Sequence, residues 1–321
     1  MMMPTVLKLL GSAMLLVGCA ASARSAAVSP AGPAGPGSPG AVASGFGVVI
    51  MAHGGSPAWN EAVLEAVKPL RARYDIEVAF GMADAASLQD AVSKLEARDA
   101  RKIGVVRLFV SGDSFLTETE QIFGLRPGAP EAATAAADPH AGHATHGGHH
   151  MAFHRVVTRS TFALSAQGLA DAEGMGTILA DRAAALSKTP AQEDVVILAH
   201  GPGDDGENAR WLAKLDARAA AIRARAPFRR VQVETLREDW PEKRVEAEAR
   251  IRAFVTRARE DGGRAIVIPF RVQGFGPYAD VLKGLDYAAD QQGLIPHPEV
   301  THWIEHEIDA LAAGPFRAPL P

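Results

Sequence analysis

The chain has 321 residues, 47 % of them apolar, and 37 acidic against 33 basic side chains give a net charge of −4. That is enough for two modest α/β domains or one large one, and with no basic stripe and no aromatic-plus-arginine patch it excludes nucleic acid as a partner. The single cysteine excludes a disulfide framework and any zinc or iron–sulfur centre built on thiolates of this chain.

That cysteine is informative by position. Met1 to Lys8 carries one positive charge, Leu9 to Val17 is a short apolar run, and Leu16-Val17-Gly18-Cys19 follows. The run is too short for a bilayer and reads as a secretory signal. Leu-Val-Gly-Cys resembles the bacterial lipobox. That resemblance implies a signal peptide over 1–18, lipidation of Cys19 as the mature N-terminus, and a lipid anchor on the periplasmic side of the cell envelope. Ala20, in place of an acidic residue, points to the outer membrane. Residues 19–46, rich in Ala, Gly, Pro and Ser, read as a disordered tether.

From Gly47 onwards the pattern alternates. Strands are expected at 47–52, 76–80 and 103–110, with helices at about 58–73 and 84–100 between them. A helix at 114–124, a further strand at 154–158 and a closing helix from Gly168 to Ser187 follow. The order then repeats: strand 194–199, helix 206–226, strand 231–235, helix 241–260, strand 265–272, helix 277–289 and a closing helix at about 298–312. Strands alternating with helices predict an α/β fold of two tandem Rossmann-like halves, each a parallel sheet with helices on both faces. The halves are expected at 47–190, with a His-rich insert at 127–153, and at 191–313.

The repeat is sharpest at its start. Val48-Val49-Ile50-Met51-Ala52-His53-Gly54 returns as Val195-Val196-Ile197-Leu198-Ala199-His200-Gly201. Each run reads as a buried parallel strand whose His opens into a glycine-rich loop, at the sheet edge where α/β folds bind ligands. Imidazole binds borderline metal ions and takes up protons near neutral pH. His53 and His200 are therefore candidate metal ligands and catalytic bases. Carboxylates in the loops after the third strands, Asp113, Glu118, Glu120 and Asp280, are candidate partners, with Asp113 and Asp280 the catalytic choices; helix capping accounts for them equally well.

Six of the eleven histidines lie between Pro139 and His154. Small residues separate His140, His143, His146, His149 and His150, so a mobile chain could wrap an ion there; the alternative is a solvated loop. His302 and His306, at i and i+4 of the last helix, could pair on a metal, but read better as residues of a surface helix. No GxSxG, GxGxxG or Walker A pattern occurs, which leaves esterase, dinucleotide and ATP chemistry unsupported.

The ordered set (Ala-His-Gly after each first strand, Ile268-Pro269-Phe270, and Gly293-Leu-x-x-His-Pro-x-Val300) resembles the class II tetrapyrrole chelatases, in particular the sirohydrochlorin cobalto-/ferrochelatases of the CbiX and SirB type. The resemblance spans 47–312. It implies two chelatase halves facing a cleft, each with a four-stranded parallel sheet, and insertion of a divalent ion (cobalt, iron or nickel, as substrate) into a tetrapyrrole without ATP or organic cofactor. It also implies that His53 or His200 holds the ion and helps remove pyrrole N–H protons. The family's second active-site His, in a Gly-x-His turn, is replaced by Ser114 in one half and Gly276 in the other. Two readings follow: an envelope-tethered chelatase, or a periplasmic metal or tetrapyrrole carrier that kept the fold without turnover.

Overall fold

Seven apolar residues without a polar interruption, Phe46–Ala52, form β1, which is buried on both faces. A strand with no wet face needs a parallel sheet covered by helices on both sides, and the computed structural model has that arrangement. It describes residues 45–132, 143–146 and 149–321, with the backbone alone for 143–146 and 149–150. Cys19, the signal peptide, most of the expected tether and His140 lie outside the described residues. The described elements fall in one compact unit, Ala41–Pro321.

β1 pairs in parallel with β2 (Ile76–Phe80) on one side and β3 (Lys102–Leu108) on the other. Three helices belong to this part: α1 (Pro57–Val67), α2 (Ala85–Ala97) and α3 (Leu116–Ile122). The expected helix over 58–73 ends as an α-helix at Val67 and continues as a 3-10 turn, Lys68–Ala72. Pro69 has no N–H for an i→i−4 bond, which accounts for the change. The insert holds an antiparallel hairpin, β4 (His143–His146) and β5 (His149–Ala152), in which His146 is opposite His149 and Thr145 opposite His150. This corrects the expectation of a chain without structure there.

The further strand expected at 154–158 is not a strand. Thr158 and Ser160 instead donate their hydroxyls to Glu96 at 2.6 and 2.7 Å, and the edge strand is β6 (Thr161–Leu164), parallel to β3. Helix α4 (Gly174–Leu186) follows. The second sheet uses β7 (Glu193–Ala199), β8 (Arg230–Thr235), β9 (Arg264–Pro269) and β10 (Tyr287–Ala289), with α5 (Asp205–Arg225), α6 (Pro241–Glu260) and α7 (Tyr278–Val281) between them, and the last helix is α8 (Pro298–Ala312). The helix expected over 277–289 is therefore only one turn long. Gly284, at φ +83°, lies beyond its end, and Tyr287–Ala289 pairs with Ala265–Val267 as an edge strand.

The sheet orders are β2-β1-β3-β6 and β8-β7-β9-β10, all parallel, so the two halves repeat one topology. Alternation along β1 splits its side chains between two cores. Val48, Ile50 and Ala52 join a central core with Val195, Ile197 and Ala199 of β7; Val49 and Met51 pack outwards with Leu88, Val92 and Ile122. The closing helices cross over. α8, the last helix of the second half, buries Val300, Trp303, Ile304 and Ile308 in the central core and packs on β3; α4 packs on α5 and β9. Thr301 Oγ1 donates to Ala66 O at 2.8 Å and Tyr74 Oη to Asp309 at 2.5 Å, fastening α8 to the first half. The two halves thus share one core.

Candidate functional site

The C-terminal ends of β1, β3, β7 and β9 open on one cleft of about 460 Å³. Both sequence-predicted histidines line it, His53 after β1 and His200 after β7. The loop geometry at the two is the same. Each His is followed by a glycine in the left-handed region, Gly54 at φ +78° and Gly201 at φ +79°, which L side chains disfavour. A Cβ on Gly201 would sit 2.5 Å from Thr235 Cβ. The turn brings each glycine's carbonyl back onto its own histidine: His53 Nδ1 donates to Gly54 O and His200 Nδ1 to Gly201 O, both at 2.8 Å. With the proton fixed on Nδ1, the neutral ring carries its lone pair on Nε2.

The surroundings of the two rings differ. Nε2 of His200 lies 3.1 Å from Asp239 Oδ2 and 3.9 Å from Glu238 Oε2. A neutral His200 already uses its one N–H on Gly201 O. A cation is therefore what reconciles Nε2 with the carboxylate, either a proton on Nε2 or a metal ion between the two groups. The halves can be aligned by strand register: Phe80 is opposite Ala52, and Thr235 opposite Ala199. Met82 and Arg237 then correspond, and both have positive φ, 61° and 59°. One residue on, the first half has Ala83 where the second has Glu238. Asp84, at the position of Asp239, caps α2 through Ser87 N at 2.8 Å and accepts from Ala152 N of the hairpin at 2.8 Å.

Asp113 and Glu118 line the cleft as expected, and so does Ser114 at the place of the missing second imidazole. Arg107 holds this loop. Its buried guanidinium donates to Gly112 O at 2.6 Å, Ser114 O at 2.9 Å and Ser165 O at 2.6 Å, and burial pulls its pKa down to about 10. The other two carboxylates are elsewhere. Asp280 is exposed on α7 and does not line the cleft. Glu120 pairs with Arg126 and Arg317, both at 2.9 Å, in a surface network. His302 and His306 do not line the cleft either; His302 contacts Glu299 at 3.4 Å.

Sequence reasoning missed Asp239, Glu238, Glu207, Arg271 and three cleft tryptophans, Trp59, Trp211 and Trp240. The signal for the first two was present: β8 neighbours β7, so Leu236-Arg-Glu-Asp-Trp240 had to emerge at the edge that carries His200. Trp240 meets the His200 ring edge-on at 6.0 Å, and Trp59 is 6.5 Å from the His53 ring. Arg237 and Lys243 both reach Asp205 and the carbonyl of Gly203, pinning the 201–205 loop; their hydrogen bonds hold the Asp205 carboxyl below the usual carboxylate range. Arg271 pairs with Glu238 and lies over the Tyr278 ring at 5.9 Å. Among the described residues no group of three or more His, Cys, Asp or Glu side chains is placed to hold a metal ion. No helix among them is long and apolar enough to cross a membrane.

Two four-stranded parallel sheets whose strand ends share one cleft, flanked by helices, define the chelatase fold. SirB from Bacillus subtilis with Fe3+ matches with a TM-score of 0.54 at 15 % identity, over 84 % of this chain and 96 % of that one. The sirohydrochlorin chelatase SirB from Bacillus subtilis subspecies spizizenii in complex with cobalt matches at 0.52 and 11 %, over 85 % and 99 %. The chain has the fold of the sirohydrochlorin chelatases. No model of a known protein family and no curated protein matches the sequence.

Proposed function

We propose that this chain inserts a divalent metal ion into a tetrapyrrole in the cleft, without ATP, as a chelatase of the sirohydrochlorin cobalto-/ferrochelatase kind. The observation that carries the reading is the His200–Asp239 pair, 3.1 Å apart at the end of β7 and on the same cleft as His53. The ion is the substrate. Two protein ligands hold it less firmly than the closed set of a structural site, which suits cargo that must leave. As the ion passes from His200 and Asp239 to the ring nitrogens, the two pyrrole N–H protons depart; the Nε2 lone pair so freed takes one, and a cleft carboxylate, Asp239 or Asp113, takes the other. The C-terminal half is the working one, because its histidine has a carboxylate beside it while Asp84 is committed to capping.

A second reading is favoured by one feature. Ser114 and Gly276 stand where the family has its second His, so among the described residues the cleft has no imidazole beyond His53 and His200, and a carrier would bind without turnover. The test mixes the full chain, without oxygen, with cobalt or ferrous ion and a free-base tetrapyrrole. Sirohydrochlorin and a two-carboxylate porphyrin are run side by side, and the absorption spectrum is followed. Many turnovers per chain, abolished in a folded His200→Ala variant, establish the chelatase. A change stoichiometric with protein establishes the carrier.

The sequence also supports a site of action at the envelope, with Cys19 lipidated. Cys19→Ser should move the chain from the membrane fraction to the soluble one. The His-rich insert, His140 with His143, His146, His149 and His150, captures ions for the cleft. Its hairpin backbone is tied to Asp84, two residues from Met82 in the cleft wall. Replacing these five histidines by Ala should lower the number of cobalt ions bound per chain.

A further inference from the structure

Asp239 has a neighbour in the chain whose carboxylate also reaches towards His200. Glu238 Oε2 lies 3.9 Å from His200 Nε2, and Glu238 N donates to the carbonyl of His200 at 3.3 Å. Yet Asp239 lines the cleft and Glu238 does not. Arg271, which does line it, donates to the other oxygen of this carboxylate, Glu238 Oε1.

Arg271 is built to keep that pairing. Leu294 N donates to Arg271 O and Ile295 N to Val272 O, both at 2.9 Å, which fixes the backbone after β9. The guanidinium lies 5.9 Å from the centroid of the Tyr278 ring, and that ring is fully buried. Gly276 leaves the space the guanidinium fills: a Cβ there would sit 2.9 Å from Arg271 Cζ and Nε. A planar cation held against an aromatic ring loses little further freedom by keeping a carboxylate partner.

The pairing decides how many charges meet an ion at His200. With Glu238 neutralised by Arg271, the ion finds one imidazole and one carboxylate, Asp239. With Glu238 released, a second carboxylate lies beside the same Nε2. Affinity for a divalent ion rises with the number of charged ligands.

We infer that Arg271 is a positioning residue for metal transfer: it withholds Glu238 from the His200–Asp239 pair, so that the ion is held loosely enough to pass on to the ring. The inference rests on the reading of His200 and Asp239 as the ligands of the ion. Arg271 itself acts only through Glu238.

The test uses the full chain and cobalt alone. Titration calorimetry gives the affinity, and mixing the loaded protein with excess EDTA in a stopped-flow spectrometer gives the rate of release. The cobalt assigned to the cleft is the cobalt that a folded His200→Ala variant loses. Arg271→Met should bind it about tenfold more tightly, the low end of what groups flanking a metal's ligands contribute, and release it correspondingly more slowly. Arg271→Lys, which keeps a cation on Glu238, should return most of the wild-type affinity. In the Arg271→Met/Glu238→Gln double variant the gain should vanish, because the recruited ligand is gone. If Arg271→Met does not fold, Gly276→Ala serves: its Cβ crowds the guanidinium from its place and leaves both charges in the chain, and cobalt should again bind more tightly. An unchanged or weaker affinity in the folded variant overturns the inference. So does a gain that persists without Glu238, since it would mean only that a repelling cation was removed. A folded His200→Ala variant that loses no cobalt overturns the ligand reading itself, and this inference with it.

Discussion

Asp239 Oδ2 lies 3.1 Å from His200 Nε2, whereas Asp84, its register counterpart in the first half, is spent on the N-terminus of α2 and on the hairpin. The two repeats carry the same histidine in unequal surroundings. Asp239→Asn should therefore weaken cobalt binding by about tenfold or more, since a charged partner is lost from the ion. Asp84→Ala should leave cobalt affinity within about twofold and lower stability by about 1 kcal/mol, as the loss of a helix cap does. Titration calorimetry with cobalt, beside thermal melts of both variants, checks the contrast. Equal loss of affinity in the two would refute the assignment of the working half.

Gly201→Ala tests the loop that orients the ring. The new Cβ would meet Thr235 Cβ at 2.5 Å and force a side chain into φ +79°. A strained left-handed residue costs about 1–3 kcal/mol. Thermal unfolding should shift down accordingly, and cobalt affinity should fall because Gly201 O no longer sets the His200 tautomer.

Arg107→Met removes the donors that gather Gly112, Ser114 and Ser165. Three carbonyl oxygens lose their partner inside the protein, and about 3 kcal/mol of stability should go with them. Denaturant unfolding reads the loss directly. A lowered midpoint with an unchanged slope is expected.

The pH dependence has a definite sign at Asp194, whose side chain is wholly buried beneath Arg229 and Arg230. Burial pushes its carboxyl up, but the hydrogen bonds from the two guanidinium groups outweigh this and leave the pKa below the ordinary value. A carboxyl depressed on folding stabilises the protein above its unfolded pKa of about 3.9, and the contribution fades as pH falls through the lower folded value. Asp194→Asn should cost about 2 kcal/mol or more near neutrality. The two proteins should converge in stability below about pH 4, as read by urea melts across pH. A difference that persists undiminished in acid would contradict the sign.

Glu307, in the central layer on α8, behaves in the opposite way. Burial raises its pKa, against the opposing pull of His306 and Arg107. A raised carboxyl favours the folded state below its unfolded pKa, and that advantage is lost as pH rises through the folded value. Glu307→Gln should therefore raise the melting temperature at pH 7 by a few degrees and flatten the pH dependence on the acid side of neutrality.

The fold class was legible because its signals are local. Val48 to Ala52 and Val195 to Ala199 carry no polar residue, so they had to be buried strands, and Ala-His-Gly marks where each strand must turn. The misplacements came where tertiary pairing decides. Val156 and Val157 have strand propensity, yet Val157 is 69 % exposed and Val156 packs as a single residue, because Thr161–Leu164 is the segment that reaches β3. Asp280 was an expected site residue because it follows the third strand of the second half; in the structure it sits on a single helical turn on the far side of Gly276 and is exposed.

By itself the sequence determined two α/β repeats, the end of each central strand, and His53 and His200 as the residues standing there. It does so because strand burial and the turn chemistry of glycine are written within a few neighbouring residues. Only the tertiary structure decided that both edges open on one cleft and that α4 and α8 cross between halves. It also decided that Asp239, Glu207 and three tryptophans surround the histidines while Asp280 and Glu120 do not. Those facts depend on which strands pair and which loops meet across the core, and contacts between residues far apart in the chain leave no periodicity to read.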